Sequence, residues 1–501
     1  MYAKDFGVVG DGVTDDAAAI AAAVAALRRS GPLSELHFEH GKTYYADPGA
    51  ADALFVLDRC KGLRIYGENC RFVVEGTKPY ARLTNTKYCT LSGMTFDYAK
   101  KPAFTAQCAY VNVEAGTAVL VADRDIGMDS AAVYTPPSGI GGYFGVLDRQ
   151  DARCHMYIKK YEMINRQKRT FRIYFEMTDA NTARWLASDL MTYGMICPMP
   201  GAAHLATAER GFTVVGNYDL TLSLIRVNAC YKFGMFISQN EGTLRLTDVD
   251  FVPADNALDR DMCFTSWRDA FHVKDNRCRI LWESCDCVGS YDDILNVSSS
   301  ALVVSDYDAA SDTLFLRWEE SGTGLYYPIL PGDTLQVIDT VSGADCGTVT
   351  VTEVLSQSAG VNQVRIDRKL SDAAGDGTGW LAFFTNRCAS ESVIDNCDFS
   401  GTIRLRGPIT VRNTRIVNYH IWLDVEGSRE GPVPRRIHFK SCDILSLPGA
   451  TVIVDSYCPR ANGYHVEDIV FEDCVLDADT FVIGQYDRAY VSFLRCAGHT
   501  S

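Results

Sequence analysis

The sequence predicts an all-β chain wound as a parallel β-helix, with two inserted small β-barrel modules and an N-terminal capping helix. Three observations predict this: a recurring short strand that ends in Cys, a single strong helix signal, and two strand-rich stretches that lack the recurring strand.

The helix signal comes first. Thr14-Asp15-Asp16 precedes an Ala-rich run from Ala17 to Arg29, with Ile20, Val24 and Leu27 at helical spacing. Thr14 or Asp15 can cap the free N–H groups, Arg28 and Arg29 suit the negative end, and Gly31-Pro32 stops the run.

The repeat is Ile280-Leu-Trp-Glu-Ser-Cys285, Val393-Ile-Asp-Asn-Cys397, Ile437-His-Phe-Lys-Ser-Cys442, Ile469-Val-Phe-Glu-Asp-Cys474 and Val491-Ser-Phe-Leu-Arg-Cys496. Leu63 to Cys70 and Val411 to Ile416 are weaker relatives. Units of this length, almost free of helix, stack as a β-solenoid with equivalent residues about 4.8 Å apart. The five repeat cysteines then form an internal ladder of small apolar side chains, buried and reduced. Only Cys285-Asp-Cys287 is a close pair, which does not make a closed metal site, so no metal and no cofactor are expected.

The interruptions divide the chain. Residues 1–106 read as the cap and first coils, 107–200 as one inserted barrel, and 201–300 as central coils carrying the site. Residues 301–384 read as a second barrel and 385–501 as the last coils. Strands such as Phe171-Arg-Ile-Tyr-Phe175 and Leu314-Phe-Leu-Arg-Trp318, closely spaced, favour small antiparallel barrels over further coils.

The chain holds 501 residues, with 48 basic and 63 acidic side chains and a formal net charge of −15. An acidic surface disfavours nucleic acid and anionic membranes as partners, and fits a neutral substrate better than a polyanionic one. No apolar run approaches the length of a membrane span. Buried thiols and the lack of a signal-like N-terminus favour the cytoplasm; a glycan substrate favours export, if a signal was trimmed.

Polar groups concentrate on two successive coils, Trp267-Arg-Asp-Ala-Phe-His-Val-Lys274 and Tyr291-Asp-Asp-Ile-Leu-Asn-Val297. Asp269 and Asp292 stand 23 residues apart, about one coil, so Asp269 is expected directly below the Asp292-Asp293 pair. As isolated turn residues these acids would simply bind backbone N–H groups. As three stacked carboxylates they raise at least one pKa, which supplies the protonated acid beside an ionised carboxylate that glycoside hydrolysis uses.

Neighbouring residues extend a candidate sugar site. Arg268, His272, Lys274 and Asn296 could hydrogen-bond hydroxyls, and Trp267 or Tyr291 could stack on a sugar face. Strand alternation sends about half of such side chains inward, leaving His272 and Asn296 open between ligand contact and packing. Arg404 and Arg406 alternate with Leu405 and face one side, lining a cleft wall or standing in solvent. Trp422 and Glu426 complete the candidates.

Three passages together resemble glycoside hydrolase family 110, inverting α-galactosidases acting on terminal α-1,3-linked galactose. The start, Asp5-Phe-Gly-Val-Val-Gly-Asp-Gly-Val-Thr-Asp-Asp16, is similar to many right-handed parallel β-helix carbohydrate enzymes. Arg268-Asp-Ala-Phe-His-Val273 with Tyr291-Asp-Asp-Ile-Leu-Asn-Val297 looks like that family's active-site coils, and Arg429-Glu-Gly-Pro-Val433 like a passage before a late coil. The sequence departs from the pattern at Ala270, at Ile294-Leu295 and at Ser298-Ser-Ser300. The resemblance implies a right-handed β-helix with inserted barrels, Asp292 as general acid, and Asp269 and Asp293 holding and activating water. Its implied partner is a glycan ending in galactose.

Two other functions compete. One is a related β-helix enzyme on another sugar, either a polygalacturonase-like hydrolase or a calcium-dependent lyase; the other is a non-catalytic glycan-binding β-helix. A homodimer through the barrels is a further expectation.

Overall fold

In the computed structural model the chain is a parallel β-helix. The structure describes residues 1–135, 143–147, 153–187, 196–200, 210–254, 265–318, 327–358, 360–370, 377, 379–425, 430–477 and 481–498.

Three parallel faces share one core, and each is read as a column of inward side chains in register. The first column runs Phe72, Phe96, Val227, Phe251, Cys287, Phe399, Ile416 and Ile444. The second runs Leu91, Leu222, Leu246, Trp282, Ile394, Val411, Phe439, Phe471 and Phe493. The third runs Phe55, Ala81, Phe212, Met235, Phe271, Leu295, Ile403, Ile421 and Val452. Each inward Phe, Leu or Ile contributes about 1.5–3 kcal/mol by leaving water, so the columns bind the coils through apolar contact.

The described cysteines are free thiols. Ser284, Asn396, Ser441, Asp473 and Arg495 all take positive φ, between 52° and 55°, and each immediately precedes a repeat Cys. The recurring strand therefore ends in a left-handed corner, which Asn, Asp and similar short polar residues adopt most cheaply. The small thiol turns inward after it. Cys285 N–H reaches the Cys397 sulfur at 3.4 Å, and Cys397 N–H reaches Thr414 Oγ1 at 3.4 Å, so Thr414 fills the Cys place in its coil. Cys442, Cys474 and Cys496 donate to carbonyls of the preceding coils, at 3.4, 3.5 and 3.3 Å.

A second corner carries an asparagine ladder. Asn240 Oδ1 accepts from the Asn217 backbone and side chain at 2.9 Å each, and Asn276 Oδ1 does the same for Asn240 at 3.1 and 2.9 Å. Donors and acceptors that a buried turn would otherwise strand are thereby satisfied.

The helix Ala17–Arg29 covers the open first coil with Ile20, Ala23, Val24 and Leu27. Its first N–H is taken by Asp15, at 3.0 Å. Thr14 does not cap: its hydroxyl and N–H both go to Asp11. Asp16 instead holds the N–H groups of Val9 and Gly10.

Two closed antiparallel barrels are spliced into corners of the solenoid. The first uses Ala103–Asn112, Thr117–Ala122, Thr170–Phe175, Arg153–Asn165, Tyr143–Leu147 and Ile196–Pro200, paired in that cyclic order. In the second, the far half of Asp286–Asp308 joins Thr313–Trp318, Val361–Ile366, Asp345–Ser356, Thr334–Asp339 and Trp380–Phe384, again closing on itself. Closure removes edges that would otherwise recruit strands. The first barrel leaves the chain path ahead of the third face, the second directly behind it.

Candidate active site

The site lies on the outer side of the third face and at the corner that leads into it. Inward Phe271 and Leu295 set the register, so the coil step is 24 residues, one more than the separation of Asp269 and Asp292. Ala270 N–H bonds the Asp293 carbonyl at 3.0 Å. Asp269 therefore stands beside Asp293, and Arg268 beside Asp292, so the expected alignment of Asp269 with Asp292, 23 residues on, is off by one residue. Ser290 Oγ reaches the carbonyls of Arg268 and Asp293, tying the two corners together.

The three carboxylates do converge. One oxygen from each of Asp269, Asp292 and Asp293 lies within 4.8 Å of the others. Asp269 and Asp293 retain only 3% and 4% of their exposure, whereas the Asp292 side chain retains 24%. Each acid has a counter-group: His272 Nδ1 at 2.7 Å from Asp269, Arg268 Nη1 at 2.7 Å from Asp292, and Arg404 Nε at 3.0 Å from Asp293. Burial, then the charges of Asp292 and Glu430, hold Asp269 well above the usual carboxylate range. Burial does the same to Asp293, against the opposing pull of Arg404 and with Asp269 and Asp292 adding to it. The trio therefore retains a proton where isolated aspartates would have lost it. Burial also lowers His272 to about 4, so the imidazole is neutral near pH 7 and its contact with Asp269 is a hydrogen bond.

The outward column of the face reads Phe236, His272, Asn296, Arg404 and Trp422. It is less open than the sequence suggested. Lys274, expected to meet hydroxyls, Asn296, left open between ligand contact and packing, and Arg406 are closed into a buried network around Glu430: Lys274 Nζ at 3.3 Å, Asn296 Nδ2 at 3.1 Å and Arg406 Nη1 at 3.2 Å. Arg406 is wholly buried and also donates to the Asp424 carbonyl at 2.8 Å, so it is neither a cleft wall nor solvated. Burial pushes Glu430 up, but Lys274, Arg406, His272 and Asn296 outweigh it and hold the acid far below its ordinary range. Gly431 lets this segment approach the second barrel, since a Cβ there would lie 2.4 Å from the Phe383 ring.

Trp267 and Tyr291 are not sugar platforms. Both are buried behind the corner with ring centroids 5.2 Å apart, and Trp267 Nε1 donates to the Pro102 carbonyl at 3.2 Å. His272 packs against Phe233 and Phe236, and its Nε2 has no partner among the described residues. Arg404 stays with the trio and lies 4.3 Å from the centre of the Trp422 ring, so Trp422 joins the site through it. Glu426 lies outside the described residues.

Glu430 is the residue that sequence reasoning missed. No imbalance of charge announced it: Arg268, Lys274, Arg404 and Arg406 on the site coils are matched in number by Asp269, Asp292, Asp293 and Asp424. The trio's spacing would also suit a divalent cation. Arg268 and Arg404, however, already bring positive charge against two of the three acids.

No family model and no curated protein matches the chain. Among solved structures it is similar to the A-module of mannuronan C-5 epimerase AlgE6 from Azotobacter vinelandii, at 10% identity and a TM-score of 0.36, over 100% of this chain and 99% of that one. It is similar to PfbA, a surface adhesin of Streptococcus pneumoniae, at 11% identity and a TM-score of 0.38, over 99% and 89%. It is similar to the family 28 exopolygalacturonase of Yersinia enterocolitica, at 9% identity and a TM-score of 0.29, over 100% and 75%. These likenesses concern the course of the chain alone.

Proposed function

We propose that the chain is a glycoside hydrolase whose acid–base group is the Asp269, Asp292 and Asp293 trio. One observation carries this reading. On an outer face otherwise closed by the Glu430 network, three carboxyl groups converge within 4.8 Å, and the one that reaches solvent is Asp292. A proton held in such a cluster belongs to the cluster rather than to one residue. Asp292 delivers it to the glycosidic oxygen as the bond to the anomeric carbon breaks. Water adds to that carbon, and its proton passes to Asp269 or Asp293, restoring the cluster.

The finer reading is an exo-acting, inverting α-galactosidase that releases terminal α-1,3-linked galactose; it rests on the motif resemblance. Inverting pairs usually stand about 6.5–9.5 Å apart, with water between them. The shorter approach here requires the water to sit beside the trio, against Asp269 and Asp293, rather than between acid and base. Hydrolysis of nitrophenyl sugars and defined galactosyl oligosaccharides tests the activity, and proton NMR of the first product tests the stereochemistry. Release of β-galactose supports inversion; release of the α-anomer overturns it, and no turnover of any glycoside overturns the hydrolase.

The cation-like spacing of the trio favours one second reading, a calcium-dependent lyase. Its signature is an unsaturated product and activity that a chelator abolishes; the hydrolase tolerates the chelator.

A further inference from the structure

A cavity of about 700 Å³ opens between the second barrel and the coils that follow it. This is an ordinary size for a site that encloses a small ligand. Its walls carry Trp380 from the barrel and Trp422, Tyr457 and Tyr464 from the coils. The one charged residue in its lining, Asp424, is already engaged by Arg406. The Trp422 Nε1–H is buried and has no acceptor among the described residues.

Arg404 stands between the cavity and the trio. Arg404 pairs with Asp293 at 3.0 Å and lies over the Trp422 ring at 4.3 Å, so a single side chain separates the acids from the aromatic wall. Two coils of strand spacing span about 10 Å, within reach of neighbouring sugars in one glycan.

We propose that this cavity binds the leaving-group side of the substrate, as one or two neutral pyranose units seated against Trp422 and Tyr457. Aromatic rings take the C–H face of a sugar. A uronate does not fit: the lining offers no free cation among the described residues, and Asp424 repels a second carboxylate. The inference rests on the hydrolase reading and names its substrate as a neutral oligosaccharide rather than an acidic polymer.

The test separates the two. Calorimetric titration of the Asp292→Asn protein with neutral galactosyl tri- and tetrasaccharides, and with galacturonate oligomers of equal length, reads binding without turnover. The expected result is saturable binding of the neutral series alone, weakened about tenfold by Tyr457→Ala and by Thr340→Trp, which fills the cavity from the barrel side. Tyr457 is 54% exposed, so its truncation leaves the core intact. Equal or tighter binding of galacturonates, or neutral binding indifferent to both variants, overturns the inference. If the wild-type protein turns over aryl glycosides while either of those results holds, the cavity assignment alone has failed. If neutral sugars bind as expected and no glycoside is hydrolysed, the hydrolase reading alone has failed.

Discussion

His272 Nδ1 and Asp269 Oδ2 lie 2.7 Å apart, both side chains buried, and the two groups titrate in opposite directions from their ordinary values. Native His272 refuses a proton down to about pH 4, whereas an unfolded histidine takes one near 6.5. Stability therefore falls as pH drops through that window, by at most about 3 kcal/mol from this group. Asp269 and Asp293, with raised values, contribute stability that is lost as pH rises through their native titration. Between about pH 4 and 6.5 the two effects oppose each other, so removing the histidine in His272→Gln should make the melting temperature fall more, or rise less, than that of wild type as pH increases across that window. Identical pH profiles for the variant and wild type would show that His272 does not contribute.

Asp292→Asn should lower hydrolysis by about 10²–10⁴-fold. The amide keeps a hydrogen bond to Arg268, so circular dichroism and melting should stay close to wild type. Sugar release at the wild-type rate would reject the acid role.

Glu430→Ala should destabilise the fold by about 3–5 kcal/mol, because Lys274 is left as a buried charge without its acid and Arg406 keeps only Asp424. The midpoint of urea unfolding measures it. A loss below about 1 kcal/mol would mean that water or Asp424 takes over the pairing.

Asn240→Ala should cost about 1–3 kcal/mol by stranding the Asn217 N–H and the Val214 carbonyl in a buried corner. Amide exchange at Asn217 should accelerate more than exchange at the outer turns. Equal protection in variant and wild type would show that the ladder is dispensable.

The solenoid was legible because its corners leave a mark in the chain: a polar residue in the left-handed region, then Cys. The carboxylate trio was legible because its members sit one coil apart. Its register was misjudged by one residue because the count ran from acid to acid, whereas Phe271 and Leu295, the inward residues, fix the alignment. Trp267 and Tyr291 read as open because nothing nearby announces Pro102, which arrives from 165 residues upstream. Lys274 read as a sugar ligand for the same reason: Glu430 lies 156 residues beyond Lys274. The asparagine ladder escaped notice because its steps, 23 and 36 residues, are unequal.

The splicing of the second barrel has a consequence for how the protein is made. Cys285 and its neighbour in the next coil, Cys397, are 112 residues apart in the chain. While the ribosome adds that stretch, the coil bearing the acids presents a bare strand edge. At about 5–20 residues per second the wait is on the order of ten seconds. The barrel closes on its own strands during that interval, giving the nascent chain a folded shoulder beside the waiting edge and shortening the time in which a chaperone must guard it.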